Sequence, residues 1–344
     1  MRIVFCGSGL FGVPTLAAIH AAGHAVVRVY TQPSRPAGRG GRVRATSVSE
    51  AAVRMGLDVR ECANINAPEV VEEIRSLAAD VIVVVDFGQI MRAPVRQSAT
   101  HGTINLHGSL LPALRGAAPV NWAVIQGLPV TGVTTFSLVD AVDAGDVYLR
   151  AETPISPRET AEELKVRLAE IGSDLMVRTL EELATGRARS WPQDHTYATP
   201  APRLTKGDGA IDWSETAVAI HHRVHGTWRW PGGHSMFVGG RHTTPVTFHR
   251  VDAITRETLA DSTLLVPARV CERMMESAAA VPPGTLLLTR PLLHTEWMVA
   301  TGNGLLRVLE IQPAGKRVMT WQDFINGYRV TAGDRFVTLP TGTP

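Results

Sequence analysis

Residues 81–85 read Val-Ile-Val-Val-Val, an apolar run with no polar position in it. A strand without a polar face must be buried on both sides, and β-branched side chains suit that pleated environment. Such a strand belongs inside a mainly parallel sheet with helices on either face. The surrounding pattern agrees. Strand-like runs at Arg2–Cys6, Val26–Thr31, Asp58–Arg60 and Thr103–His107 alternate with helix-like stretches at Val13–Ala22, Ser47–Met55 and Pro68–Leu77. Another strand is expected at Val133–Val139. A helix over Arg158–Ala184 carries Leu164, Leu168, Ile171, Leu175 and Leu180 at core-facing spacing and stops at Gly186. The expected fold class is α/β: a Rossmann-like, doubly wound, mainly parallel sheet with ligands beyond the carboxyl ends of its strands.

At 344 residues the chain has room for two domains. Residues 187–206 break the rhythm, with Pro192, Pro200 and Pro202 among polar residues, and read as a linker between domains at 1–186 and 207–344. Beyond it, Ala217–Val224 looks helical. Short strand-like pieces at Val246–Val251, Gly284–Leu288, Trp297–Ala300 and Leu305–Ile311 suggest a smaller, OB-like β-barrel. Residues 255–283 have weak periodicity and read as an insertion. Cys6, Cys62 and Cys271 are scattered without C-x-x-C spacing, which argues for a reducing compartment and against a zinc cluster. No apolar run reaches the roughly 18 residues of a membrane span, and the first strand leaves no room for a leader. A cytoplasmic monomer with no membrane partner is expected.

The first strand runs into Gly7-Ser8-Gly9-Leu10-Phe11-Gly12, the G-x-G-x-x-G spacing of a dinucleotide site. That site also needs an acid about 20 residues on to hold a ribose. The first Asp or Glu in the chain is Glu50. An NADP form using Arg35 stays open, but the turn reads better as the start of the first helix at the ligand-binding edge of the sheet.

The segment "INLHGSLLPALRGAAPVNWAVIQG" carries more chemistry. Residues two apart on a strand share a face, so Asn105 and His107 point together, away from Ile104 and Leu106. A buried polar pair needs partners, and in isolation it reads most simply as satisfied structural side chains. The rigid turn Gly108–Pro112 follows, however, and "VDAVDAGDV" then brings Asp140, Asp143 and Asp146 into a loop after a strand. Asp, His and Asn without an adjacent nucleophile suggest acyl-type chemistry with no covalent enzyme intermediate. In that reading a carboxylate favours cationic His, and His and Asn donate to a developing oxyanion. Ser109 as a nucleophile, lacking the G-x-S-x-G elbow, and a zinc site from His101, His107 and Asp143 remain alternatives.

Six stretches in order, "YTQPSRPAGRGGRV", "VVVDFGQI", "INLHGSLLPALRGAAPVNWAVIQG", "TGVTTFSLVDAVDAGDV", "PRLTKGDGAIDWS" and "ATGNGLLRVLEIQPAGKRVMTWQDF", resemble the methionyl-tRNA formyltransferase family over nearly the whole chain. The resemblance implies formyl transfer from 10-formyltetrahydrofolate, as co-substrate, to the α-amino group of methionine on initiator methionyl-tRNA, with no metal. It places the catalytic set on Asn105, His107 and Asp143, with Asp146 shaping the loop. It places the folate near Phe87, Gly88, Gln89 and Ile90, near Ser109, Leu110, Leu111 and Pro112, and near Val139, Asp140, Ala141 and Gly145.

Net charge is only +2, so any basic surface must be local. Residues 31–49 hold Arg35, Arg39, Arg42 and Arg44 and no acid, and in the family the matching loop enters the acceptor stem. Residues 216–251 interleave Arg223 and Arg229 with Trp228, Trp230 and several histidines, again without an acid. Lys206, Lys316 and Arg317 complete the expected tRNA contacts. The chain departs from the family at its first glycine turn, usually of a Gly-Thr-Pro-Asp-Phe type. It also departs at Ala113, where a basic residue is common, and at Trp228-Arg229, where Asn-Pro is usual. The nearest rival is a sugar-nucleotide N-formyltransferase; a catalytically silent RNA-binding protein is another.

Overall fold

The computed structural model of the chain describes residues 1–37, 42–240, 242–260, 268–289 and 296–339. It divides into two compact units. Unit 1 is Met1–Val120, Val130–Pro154 and Glu163–Pro202, and unit 2 is Asn121–Pro129, Ile155–Glu162 and Arg203–Pro344.

In the first unit the strands are β1 (Arg2–Gly7), β2 (Ala25–Thr31), β3 (Arg35–Ala37), β4 (Arg42–Arg44), β5 (Val59–Glu61), β6 (Val81–Val85), β7 (Thr103–His107), β8 (Val130–Ser137) and β9 (Val147–Pro154). Seven of them form one sheet in the order β5-β2-β1-β6-β7-β8-β9, while β3 and β4 pair as a separate hairpin. The pairs from β5 to β7 are parallel; β8 and β9 run antiparallel. All of β6 is buried, as its composition requires. The winding direction reverses between β1 and β6, where ligand crevices form in sheets of this kind.

Helices α1 (Gly12–Ala21), α2 (Ser47–Arg54), α3 (Pro68–Ser76) and α4 (Ala93–Arg96) accompany these strands. Of the next two in chain order, α5 (Pro119–Ile125) lies mostly in the second unit and α6 (Ala161–Ala184) mostly in the first. Thr46 caps α2 by accepting from the Ser49 amide, and Pro68 opens α3, where its missing N–H costs nothing. Gly172 of α6 lets Leu106 approach closely; a Cβ there would lie 2.6 Å from the leucine side chain. The hairpin β3–β4 and strand β9 carry no strong apolar alternation and escape a periodicity reading.

Residues 187–202, read as a linker, fold into the first unit. Trp191 and Val147 exchange backbone hydrogen bonds at 2.9 and 3.0 Å, and Arg115 bridges Pro200. The prolines mark irregular backbone, not an absence of structure.

The second unit contains β10 (Gly233–Gly239), β11 (His242–Ile254), β12 (Leu286–Thr289), β13 (Glu296–Ala300), β14 (Leu305–Pro313), β15 (Met319–Thr320) and β16 (Arg335–Val337). They pair antiparallel in the order β12-β13-β14-β11-β10-β16, with β15 on β14. Its helices are α7 (Ala217–Thr227), α8 (Ala268–Ala278) and α9 (Trp321–Tyr328). The region expected as an insertion contains α8, which buries Cys271, Met274 and Ala278; residues 261–267 lie outside the described chain. That stripe is narrow and set among Arg and Glu, so its period is faint.

The core of this unit is aromatic. Phe336 stacks on Trp213 at 5.5 Å and meets Phe248 edge-on at 5.0 Å, with no exposed surface. Phe336→Ala should destabilise the unit by about 3–5 kcal/mol, read as an earlier urea midpoint in tryptophan fluorescence. A loss below about 1 kcal/mol would show that the cluster repacks around the gap.

Candidate active site

The alternation along β7 divides its side chains as expected. Ile104 and Leu106 are buried, Leu106 against α6. Asn105 and His107 face the other way, opposite Phe136 and Thr134 of β8. The His107 ring meets Phe136 edge-on with centroids 6.2 Å apart. Its Nε2–H donates to the Leu114 carbonyl at 2.9 Å, so Nε2 is the protonated nitrogen. Its Nδ1 faces Asp143 Oδ2 at 3.8 Å, an ion-pair distance too long for a hydrogen bond. The same Asp143 oxygen accepts from the Gly116 amide at 2.8 Å. Asn105 is partly exposed, and among the described residues its carboxamide has no hydrogen-bond partner.

The aspartate loop, residues 138–146, reaches this face by a path that strand-end reasoning does not anticipate. Because β8 runs antiparallel, the loop starts beside the amino end of β7, where Leu138 N donates to Thr103 O. It then returns along the sheet face until Asp143 meets His107 at the carboxyl end. Asp143 adopts φ +49°, a left-handed conformation that Asp tolerates better than most residues. Gly145 is obligatory, since a Cβ would lie 1.8 Å from the Ser137 carbonyl. Arg96, only 7% exposed, donates to Asp140 at 2.6 Å. Asp146 shapes the loop through its backbone, its carbonyl accepting from Ser137 N.

Residues 108–118 close the site from the other side. Ser109 Oγ donates to the Ala113 carbonyl, and Thr134 Oγ donates to the Ser109 carbonyl. Leu114 takes φ +59°, which turns its carbonyl toward His107. Two further residues hold these loops together. Gln193 Nε2 donates to the Asp143 and Gly145 carbonyls at 2.9 and 2.7 Å, and Gln193 Oε1 accepts from Arg115. Gln193 sits in a proline-flanked polar stretch, and nothing local in the sequence marks it.

The expected folate residues divide into two groups. Phe87 and Leu111 are buried in the core, and Ser109 is 1% exposed, so their side chains are occupied by packing. The Gln89 side chain bonds the Ile65 amide and the Cys62 carbonyl. Ile90 and Val139 are exposed apolar side chains, and Gly88, Ala141 and Asp140 are exposed as well. Leu110 and Pro112 are partly buried, whereas Gly145 is buried. Leu138 packs on the cluster that contains Phe87 and Met91, which joins the loop after β6 to the start of the aspartate loop.

The first glycine turn is filled from within. The Ser8 and Gly9 amides both donate to the Asp86 carbonyl, and a Cβ on Gly9 would lie 1.8 Å from the Asp86 carboxylate. A carboxylate against the turn, with two of its amides engaged, is a poor seat for a pyrophosphate. Burial pushes the Cys6 and Cys62 thiols up, so neither offers a thiolate. Among the described residues no group of three or more His, Cys, Asp or Glu side chains is placed to hold a metal, and His101 is exposed away from any such set.

The cations expected to meet tRNA differ in availability. Arg35 and Arg44 pair across the β3–β4 hairpin with both side chains exposed; Arg39 and the Arg42 side chain lie outside the described residues. The hairpin base is anchored by Ser34, whose amide and hydroxyl donate to Glu61. Lys206 and Arg229 are exposed. Arg223 of α7 is paired with Glu215, the residue before that helix's N-cap, at 3.0 Å. Lys316 and Arg317 line an open cavity of about 860 Å³ with His242 and Tyr328. No helix among the described residues is long and apolar enough to cross a membrane.

Residues 1–180 match the formyl transferase family and residues 203–329 match the formyl transferase C-terminal domain. The methionyl-tRNA formyltransferase of Solibacter usitatus is 41% identical over 97% of this chain and 98% of its own length. That of Koribacter versatilis is 39% identical over 98% of this chain and 99% of its own. Among solved structures, the sugar 3N-formyl transferase WlaRD aligns with TM-score 0.59 at 13% identity, covering 92% of this chain and 99% of that one. HypX from Aquifex aeolicus, in complex with tetrahydrofolic acid, aligns with TM-score 0.60 at 16% identity over 95% of this chain and 47% of its own. These two likenesses concern the fold; the full-length matches concern the family. The chain belongs to the formyl transferase family and, along its whole length, to the methionyl-tRNA formyltransferases within it.

Proposed function

We propose that the chain transfers a formyl group from 10-formyltetrahydrofolate to the α-amino group of methionine on initiator methionyl-tRNA, for translation initiation in the cytoplasm. The full-length match to methionyl-tRNA formyltransferases supports the substrates. The observation that carries the chemistry is the Asn105 carboxamide, without a hydrogen-bond partner among the described residues, on the same face of β7 as the His107–Asp143 pair. We read the enzyme as a monomer with a catalytic domain at 1–186, extended by residues 187–202 that fold into the same unit, and a tRNA-binding domain at 207–344. The end strands β12 and β16 support an OB-like barrel for the latter: Leu286 N donates to Asp334 O at 2.8 Å and Phe336 N to Gly284 O at 2.9 Å.

The reaction follows from the free groups. The methionine amine attacks the formyl carbon and the formyl oxygen takes up the negative charge. Asn105 donates an N–H to that oxyanion, a role worth roughly 10²–10³ in turnover. With Nε2–H held by Leu114, Nδ1 is the His107 nitrogen facing the reacting groups. The sequence reading makes His107 a cationic donor to the oxyanion. We read its Nδ1 instead as the acceptor that takes the proton released by the amine nitrogen, with Asp143 stabilising the imidazolium that forms. The C–N bond to folate breaks as the folate nitrogen is protonated, leaving the formamide and tetrahydrofolate. The exposed apolar side chains of Ile90 and Val139 suit the flat face of a pteridine, with Gly88, Asp140 and Ala141 alongside. Leu110, Pro112 and the backbone around Phe87, Ser109, Leu111 and Gly145 shape the rest of that pocket.

Asn105→Ala and His107→Ala should each fold normally and lose at least about 10²-fold in kcat for methionyl-tRNA formylation. Near-normal turnover in either would sink the assignment. An amino-sugar nucleotide offered in place of the tRNA should be a poor acceptor.

Arg35, Arg44, Lys206, Arg229, Lys316 and Arg317 are the cations we assign to tRNA, together with Arg42 of β4 and Arg39. The logarithm of the binding constant should therefore fall steeply and linearly with the logarithm of salt. Arg35→Ala and Arg44→Ala should each weaken binding and flatten that slope by about one unit, measured by filter binding across a salt series. An unchanged slope would remove the hairpin from the interface.

A further inference from the structure

We propose that Gln193 is a positioning residue for the aspartate loop, acting on catalysis through Asp143. The inference rests on the formyl-transfer reading above. Gln193 is 5% exposed and its amide is fully engaged. Its nitrogen donates to the carbonyls of Asp143 (2.9 Å) and Gly145 (2.7 Å). Its oxygen accepts from Arg115 Nη2 at 2.6 Å and Nε at 3.3 Å. This orientation is fixed by chemistry, because two carbonyls need donors and a guanidinium needs an acceptor.

The partners are the two chain segments that hold His107 by its two nitrogens. Arg115 lies between Leu114, whose carbonyl accepts from Nε2, and Gly116, whose amide donates to Asp143. Asp143 and Gly145 belong to the loop that faces Nδ1. One side chain thus ties the acceptor of one ring nitrogen to the carboxylate at the other. The surrounding segment reinforces the tie: Leu114 N donates to Thr199 Oγ and Ala118 N to the Ala201 carbonyl. Asp143 needs such a restraint because its left-handed backbone would otherwise relax. A displacement of the order of 1 Å in a group of this kind costs about 10²-fold in rate.

The test is a double-mutant cycle. Gln193→Glu keeps the acceptor for Arg115 and replaces both N–H donors with an oxygen that cannot donate; Gln193→Met removes both functions at similar size. In an otherwise native chain each should lower kcat for formyl transfer by about 10- to 100-fold while KM for the formyl folate changes by less than about threefold. In an Asp143→Asn background the same changes should cost less than about twofold, because the carboxylate they position is gone. Circular dichroism and thermal unfolding verify that each variant is folded.

The inference is overturned if Gln193→Glu keeps kcat within about twofold, or if its loss multiplies unchanged onto that of Asp143→Asn. It is also overturned if neither Gln193 variant folds, which makes the residue structural. A native chain that transfers no formyl to methionyl-tRNA is a different result. That outcome contradicts the function proposed above.

Discussion

The antiparallel pairing of β8 on β7 is the constraint from which the active site follows. Up to β7 the sheet is parallel, and its loops emerge at one edge in the usual way. The reversal at β8 moves the start of the aspartate loop to the wrong end of the sheet. A loop that must still bring a carboxylate to His107 has to run back over the face, covering it as it goes. That path produces the left-handed turn at Asp143, the need for glycine at 145, and the anchoring of Asp140 by Arg96. Asn105 and His107 share the face of β7 toward which that loop returns.

Polar groups at such a position are costly unless they are bonded, and their bonding separates them by role. His107 is held at Nε2 and approached by Asp143 at Nδ1, while Asn105 is left open. Alternative nucleophiles are disabled by the same packing. Ser109 is buried and donates to a carbonyl, and burial raises the Cys6 and Cys62 thiols. Among the described residues of the site, what remains suits the stabilisation of charge and the movement of a proton, the roles proposed for it above.

How far the amino-acid sequence reveals this depends on the range of the interaction concerned. Val81–Val85 and Thr103–His107 coincide with β6 and β7, because a short apolar run between turn signals is a local property. Asn105 and His107 could be placed on one face from strand periodicity alone. The path of the 138–146 loop could not, since it depends on the direction of a neighbouring strand. Gln193 was invisible for the same reason: its partners lie 50 and 48 residues away in sequence. Among the cations, Arg223 differs from Arg229 by its ion pair with Glu215, a contact that no local pattern marks. Phe87 and Leu111 show the converse, because the motifs that carry them are recognisable while their side chains are core.

The central claim is that formyl passes directly from folate to the methionine amine, with the protein holding no formyl of its own. Rapid quenching after mixing the enzyme with 10-formyltetrahydrofolate labelled in the formyl carbon tests this most directly. Without tRNA, no label should appear covalently on the protein, and addition of methionyl-tRNA should move label to the methionine in a single phase. A burst of protein-bound formyl that chases into methionyl-tRNA would contradict the account.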